Sequence, residues 1–281
     1  MPELPEVHTT IEDLKAHGVV GMTITAVEVY WERTVGGNAE AFTEAVTDRS
    51  ISGVRRRGKY IIIELDSGAA ILAHLRMSGR LYVSEVDAPR SGYERVILFV
   101  ARPDQSGELR FHVPRKFGRM IWAADPDLAV AHVGIEPLSP AFGASSLATI
   151  LTGRTRRLKA LLLDQTIIAG LGNIYTDEAL WDAGLHPSRP AGSLSPEEVD
   201  ALATAIRAVL TRGITNLGTS LGSGASNFIF PGKEVQAHNQ EDLRVFQRTG
   251  SPCRRCGTPI QRIIVAQRST HICPACQRHE G

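Results

Sequence analysis

The chain has 281 residues, 43% of them hydrophobic, a length and composition that suit two soluble domains plus a small accessory module. It contains no run of eighteen apolar residues, which excludes a membrane-spanning helix, and no internal repeat or low-complexity tract, so its domains lie in series. The 31 basic and 30 acidic residues leave a net charge of +1, a total that says little about partners until its distribution is considered.

The N-terminus reads Met1-Pro2-Glu3-Leu4-Pro5-Glu6-Val7. Removal of the initiator methionine, usual ahead of a small residue such as proline, would make a secondary amine the first atom of the protein. On reference α-amino values roughly a tenth of such an amine is neutral at pH 7, an upper limit because proline nitrogen is more basic. Its attack on a sugar C1′ yields an iminium ion, an electron sink that needs no further protonation. Glu3, one residue away, then has the chemistry to act as acid and base on the same atom. A lone N-terminal proline is usually without a catalytic role; the rest of the heptad and the far end of the chain set this one apart.

Val7, Ile11 and Leu14 recur at helical spacing and Gly18 stops the pattern, so residues 5 to 17 read as a short helix with Glu6 in its first turn. From Thr23 to Ala124 the pattern is that of strands: Ile24 to Tyr30, Tyr60 to Leu65, a turn at Asp66-Ser-Gly68, and Ala70 to Leu75. A further hairpin joins Arg95–Val100 to Leu109–Val113 through a loop expected to contain Pro103 and Gly107. Short strands in hairpin order predict an antiparallel sandwich or barrel. Gly134, Pro137 and Pro140 then mark a linker. Beyond it come helices: Leu158 to Gln165, Ile174 to Ala183 with Asn173 as its expected N-cap and Asp177 and Glu178 near its start, and a helix to Gly213 opened by the capping box Ser195-Pro-Glu-Glu198.

The four cysteines of the chain fall in two C-x2-C knuckles, Cys253/Cys256 and Cys273/Cys276, sixteen residues apart. That spacing matches a four-thiolate zinc site of the ribbon type and predicts one structural zinc per chain. Two disulfides would account for the same residues, but no signal peptide is evident and no other cysteine occurs, as in a reducing cytoplasm. Three basic clusters, Arg55–Lys59, Arg154–Lys159 and the seven arginines from Arg244 onward, point to a phosphate-binding face. Any one of them alone would more often be a solvated surface.

The heptad at the N-terminus, the segment Gly170-Leu-Gly-Asn-Ile-Tyr-Thr-Asp-Glu178 and the finger ending Gln267-Arg-Ser-Thr-His-Ile-Cys273 together resemble the bacterial formamidopyrimidine-DNA glycosylases, over nearly the whole chain and in the same order. The resemblance implies an α+β multidomain protein. Residues 1–130 would form an N-terminal antiparallel β-sandwich with flanking helices, 131–145 a linker, 146–248 a helical helix-two-turn-helix domain and 249–281 a zinc finger. It would act as a monomer on duplex DNA carrying damaged bases or abasic sites, without a membrane, in the cytoplasm and nucleoid-associated when on DNA. Because the target atom lies inside the base stack, such an enzyme must extrude the damaged nucleotide.

By the same resemblance Pro2 is the Schiff-base nucleophile, Glu3 the proton donor and acceptor, Lys59 a lysine near the abasic sugar, and Arg268 the finger arginine of the second elimination, with Glu6 and Glu178 in support. Asn173, Lys159 and Arg154 match positions on the phosphates, Tyr93 lies in a loop that touches them, and Met77, Arg115 and Phe117 match residues that fill the hole left by the flipped base. From the residues alone, Lys59 reads more readily as solvated and Met77 and Phe117 as core.

Some positions depart from the family pattern. Val113 stands where an aspartate commonly precedes Pro-Arg-Lys-Phe-Gly118, and Tyr93 and Arg95 stand where histidines are frequent. The stretch Leu221–Gly232 differs from the usual base-capping loop and is expected to set lesion preference without entering the chemistry. The expected activity is excision of oxidised purines, 8-oxoguanine and formamidopyrimidines, followed by β,δ-elimination. Its rivals are an enzyme of the endonuclease VIII type acting on oxidised pyrimidines, a non-catalytic damage-binding protein of this fold, and a zinc-ribbon interaction module. Leu4 in place of glycine, with the set Met77, Arg115 and Phe117, favours purines; Pro2, Glu3 and Lys59 favour an enzyme; the N-terminal heptad has no place in a mere interaction module.

Overall fold

The structure, a computed structural model, describes residues 2–219 and 238–279, so the expected base-capping stretch Leu221–Gly232 lies outside the described residues. The chain divides into two compact units, one running to His132 and taking back the chain at Leu217, the other made of Val133–Asn216 and the chain from His238.

The first unit opens with α1 (Leu4–Ala16), followed by β1 (Thr23–Val29), α2 (Ala39–Val46), β2 (Ile51–Arg57), β3 (Tyr60–Leu65), β4 (Ala70–His74), β5 (Arg80–Ser84), β6 (Glu94–Arg102), β7 (Gln105–His112), β8 (Arg119–Ala123) and the single turn α3 (Pro126–Ala129). The strands form two four-stranded antiparallel sheets, β1-β6-β7-β5 and β2-β3-β4-β8. One core joins them: Ile61, Ile63, Ile71 and Ala73 from one sheet meet Ile24, Val96, Leu98, Leu109 and Phe111 from the other, and Val7, Ile11 and Leu14 of α1 pack into the same cluster. Each of these larger aliphatic side chains stabilises the fold by about 1.5–3 kcal/mol through removal from water. The unit is the β-sandwich the strand pattern predicts.

One detail of the pattern is corrected. The β6–β7 turn is the two-residue Pro103-Asp104, since Arg102 pairs with Gln105, and Gly107 lies inside β7 opposite Val100. A Cβ there would approach the Ser84 carbonyl of β5 to 3.2 Å, so this glycine answers a close strand crossing rather than a loop.

The second unit contains α4 (Ala144–Leu151), α5 (Leu158–Leu162), α6 (Asn173–Asp182), α7 (Pro196–Thr215), the turn α8 (Asn239–Asp242) and the hairpin β9 (Gln261–Val265) and β10 (Arg268–Ile272). The Ser195 capping box is present: the Ser195 hydroxyl accepts the Glu198 N–H and Glu198 accepts the Ser195 N–H at 2.8 Å. Helices α6 and α7 touch closely at Gly213, where a Cβ would lie 2.5 Å from the Tyr175 ring. The expected cap of α6 is corrected by one residue. Gly172 holds the extended cap conformation and Asn173 is already helical, which frees its amide for other partners.

Two expected boundaries also shift. Within 131–145, Ile135 forms a parallel bridge with Ile168, and Gly134 lies so close to Ile167 that a Cβ would meet its backbone at 2.3 Å. The range 146–248 is not one body either, because the chain from Leu217 joins the first unit, where the Thr219 N–H is bound by the Glu6 carboxylate at 2.7 Å.

Candidate active site and nucleic-acid interface

In the first unit Pro2, Glu3 and Glu6 are all buried at the head of α1. Glu6 Oε2 accepts the Glu3 N–H at 2.8 Å, and Glu6 Oε1 accepts the Thr219 N–H at 2.7 Å. Gly218, at φ 85°, brings its backbone against Glu6, where a Cβ would sit 2.9 Å from Cγ. Glu6 therefore fixes the backbone beside the candidate nucleophile to the returning chain at 218–219, with both carboxylate oxygens engaged.

Lys59 occupies the two-residue turn between β2 and β3 after Gly58, which adopts φ 55°, and it is buried rather than solvated. Opposite Tyr60 on β4 stands His74, a residue the sequence did not single out. Its ring meets Tyr60 edge to face at 4.9 Å, and its Nδ1 accepts the Arg76 N–H at 3.0 Å. Burial, then the positive charges of Arg76 and Lys59, push its pKa from the usual 6.5 down to about 3, so the ring is neutral at physiological pH. With Nδ1 accepting, the proton is on Nε2, which leaves a neutral donor near Lys59. The sequence clue was a polar residue ending an apolar strand just before Leu75-Arg-Met-Ser-Gly79.

Met77 and Phe117 are exposed at 48% and 52%, not core. The register pairs His74 with Arg119, so the Leu75–Gly79 turn leaves and the Pro114–Gly118 loop arrives at the same end of the β4–β8 pair. Arg115 lies over the Phe117 ring at 5.6 Å. Tyr93 is exposed, with its ring edge on His112 at 5.7 Å and Arg95 at 5.9 Å from its centroid.

In the second unit Asn173 Nδ2 donates to the Ser269 carbonyl at 2.8 Å, while its Oδ1 is buried with no hydrogen-bond partner. Arg154 and Arg268 are exposed, Arg268 just after the tight turn at Ala266 and Gln267, which adopt φ 49° and 60°. Lys159 corrects an expectation. It is completely buried, donating to Asp177 at 2.6 Å, Thr270 Oγ1 at 2.8 Å and the Ser269 carbonyl at 3.1 Å, so its charge is spent inside the protein and not on a phosphate. Asp177 also accepts the His271 N–H at 2.9 Å, and Glu178 accepts the N–H groups of Arg244, Val245 and Phe246 at 2.8–2.9 Å. Burial pushes the Glu178 pKa up and these three donors oppose the rise.

The four cysteine ligand atoms all lie within 4.8 Å of one another. A tetrahedron with Zn–S bonds of about 2.3 Å has sulfurs just under about 4 Å apart, so the set fits one zinc ion held by Cys253, Cys256, Cys273 and Cys276. Cys253 and Cys273 belong to a small core with Trp181, Val245 and Ile260, and Arg255 stacks on Trp181 at 4.3 Å, which seats the finger on the end of α6.

A two-sheet sandwich, a helical unit with a glycine-led helix, and a four-cysteine hairpin finger define a class of modular nucleic-acid enzymes. Family models narrow that class. One described as formamidopyrimidine-DNA glycosylase N-terminal domain matches residues 1–120, one as formamidopyrimidine-DNA glycosylase H2TH domain matches 133–223, and one as a zinc finger found in FPG and IleRS matches 250–278. A formamidopyrimidine-DNA glycosylase of Protochlamydia amoebophila is 43% identical over 99% of this chain and 100% of its own length, and one of Roseiflexus sp. is 44% identical with the same coverage. The solved complex of Lactococcus lactis Fpg with abasic-site DNA superposes with a TM-score of 0.89 at 33% identity, covering 99% of this chain and all of the other. This chain belongs to the formamidopyrimidine-DNA glycosylase family.

Proposed function

We propose that this protein excises oxidised purines from duplex DNA and then cleaves the strand at the resulting abasic site, with Pro2 as nucleophile. The C1′–N bond to the Pro2 nitrogen forms as the glycosidic bond to the base breaks. Glu3 supplies a proton for departure of the base and opening of the sugar and takes one back as the iminium drives elimination. Lys59, with neutral His74 beside it, faces the sugar and its phosphate, and Arg268 assists the second elimination. Asn173 and Arg154 hold flanking phosphates, Tyr93 contacts the backbone, and Met77, Arg115 and Phe117 enter the space of the extruded base. The zinc ion, when bound, holds the finger folded and takes no part in the chemistry. The enzyme works as a monomer in the cytoplasm, on the DNA of the nucleoid.

The observation that carries this reading is the arrangement at the head of α1, where a buried carboxylate adjoins Pro2 and a second, Glu6, fixes its backbone. Reaction with an 8-oxoguanine:cytosine duplex in borohydride should trap a covalent adduct that peptide mapping places on Pro2. An adduct on Lys59 or another lysine would overturn the assignment.

Oxidised pyrimidines are a second substrate class to test. L. lactis Fpg, at 33% identity, has been captured in complex with DNA containing an oxidised pyrimidine. Excision of the purine lesion at the higher kcat/KM is expected here, and the reverse order would move the protein to the rival specificity.

A further inference from the structure

The loop from Val113 to Gly118 presents Arg115 and Phe117, and an exposed ring can fill a vacated base site cheaply only if its loop is ordered beforehand. Three anchors order it. Arg119, the first residue of β8, turns Nη1 back onto the carbonyls of Gly118 at 2.9 Å, Phe117 at 3.2 Å and Lys116 at 3.4 Å. Lys116, held at φ 58° where side chains are strained, places its ammonium 3.9 Å from the centroid of the Trp31 ring. The Val113 carbonyl takes the Lys116 N–H and Arg95 Nε, both at 3.2 Å, and the Val113 side chain lies under Gly118, where a Cβ would clash at 2.9 Å.

These anchors use no carboxylate. Val113 packs as an apolar floor, 1% exposed, and Arg95 and Arg119 grip backbone oxygens. Arg95 and Val113 are thus partners in one arrangement.

We propose that Arg119, together with Trp31 beneath Lys116, is a positioning residue that preorganises the 113–118 loop, so that Arg115 and Phe117 enter the duplex without prior ordering. The inference rests on the glycosylase reading. Arg119→Met and Trp31→Leu are compared with the unaltered protein on an 8-oxoguanine:cytosine duplex and on a single-stranded abasic oligonucleotide, which has no base pair to open. Either variant should lose about tenfold in kcat/KM on the duplex and about twofold or less on the single strand. Arg119→Lys, which keeps a donor near the carbonyls, should recover most of the loss.

In an Arg115→Ala/Phe117→Ala background, Arg119→Met should cost about twofold or less, because both side chains it acts through are gone. Thermal unfolding identifies any variant that fails to fold, and Trp31→Leu carries the test if Arg119→Met does. A full tenfold loss in the Arg115→Ala/Phe117→Ala background, an equal loss on single strands, or no loss on the duplex overturns the inference. An unaltered protein inactive on both substrates would instead overturn the glycosylase reading.

Discussion

His74 shows how far a residue's surroundings can move it from its ordinary chemistry. Burial and the neighbouring charges of Arg76 and Lys59 hold its folded pKa near 3, against 6.5 when unperturbed. Between these values the unfolded chain binds a proton that the folded ring refuses. The corresponding stability is fully present above pH 6.5 and is lost as pH falls toward the folded pKa, at about 1.4 kcal/mol per pH unit. His74→Gln should therefore flatten the acid limb of stability between about pH 4.5 and 6.5, read from urea unfolding at several pH values. Parallel limbs for the two proteins would show that His74 titrates normally. The family resemblance offers Glu6 and Glu178 as supporting acids; in the structure Glu6 binds the N–H of Thr219 and Glu178 those of Arg244, Val245 and Phe246, in each case on a distant stretch of chain.

At the level of elements, the join between α6 and the finger hairpin depends on a buried ion pair. Lys159 and Asp177 are both inaccessible, and between them they hold the Ser269 carbonyl, the Thr270 hydroxyl and the His271 N–H. Removing one member leaves the other charged and unpaired, at a cost of about 3–5 kcal/mol. Lys159→Met should lower the melting temperature and speed zinc release to a chromophoric chelator, and adding Asp177→Leu should recover part of the stability. Unchanged zinc release in Lys159→Met would mean that the finger does not depend on this pair.

Elements with strong local signals were legible in advance: α1 by its period, α7 by its capping box, the finger by its cysteines. The strands β2, β5 and β8 were not, because β2 ends in Arg55–Arg57 and β5 and β8 are only five residues long and each open on an arginine. Their pairing with neighbours far along the chain overrides that weak local preference.

For the whole molecule, the charge that matters is what remains after internal pairing. Arg55 is bound to Glu64 at 2.6 Å and Asp127 at 2.7 Å, Arg156 to Asp164 at 2.7 Å, and Lys159 is enclosed, so the basic clusters offer DNA fewer cations than their count implies. Arg154→Gln should then reduce the slope of log Kd against log salt by about one phosphate contact, whereas Arg55→Gln should leave it nearly unchanged. Fluorescence anisotropy with an uncleavable abasic analogue duplex gives both slopes, and equal reductions would show that the Arg55 pairs open on DNA.

The sequence by itself determined the order of sandwich, helices and finger, the zinc ligands and the candidate for the reactive end of the chain, because these rest on periodicity, spacing and functional groups that are local. Only the tertiary structure decided which charges are spent internally, that Asn173 follows the cap instead of forming it, that Met77 and Phe117 stand exposed, and that Val113, Arg95 and Arg119 share one loop. Burial and hydrogen-bond partners across long stretches of chain exist only once the backbone has been brought together, and they set the charge and reach of every side chain in the site.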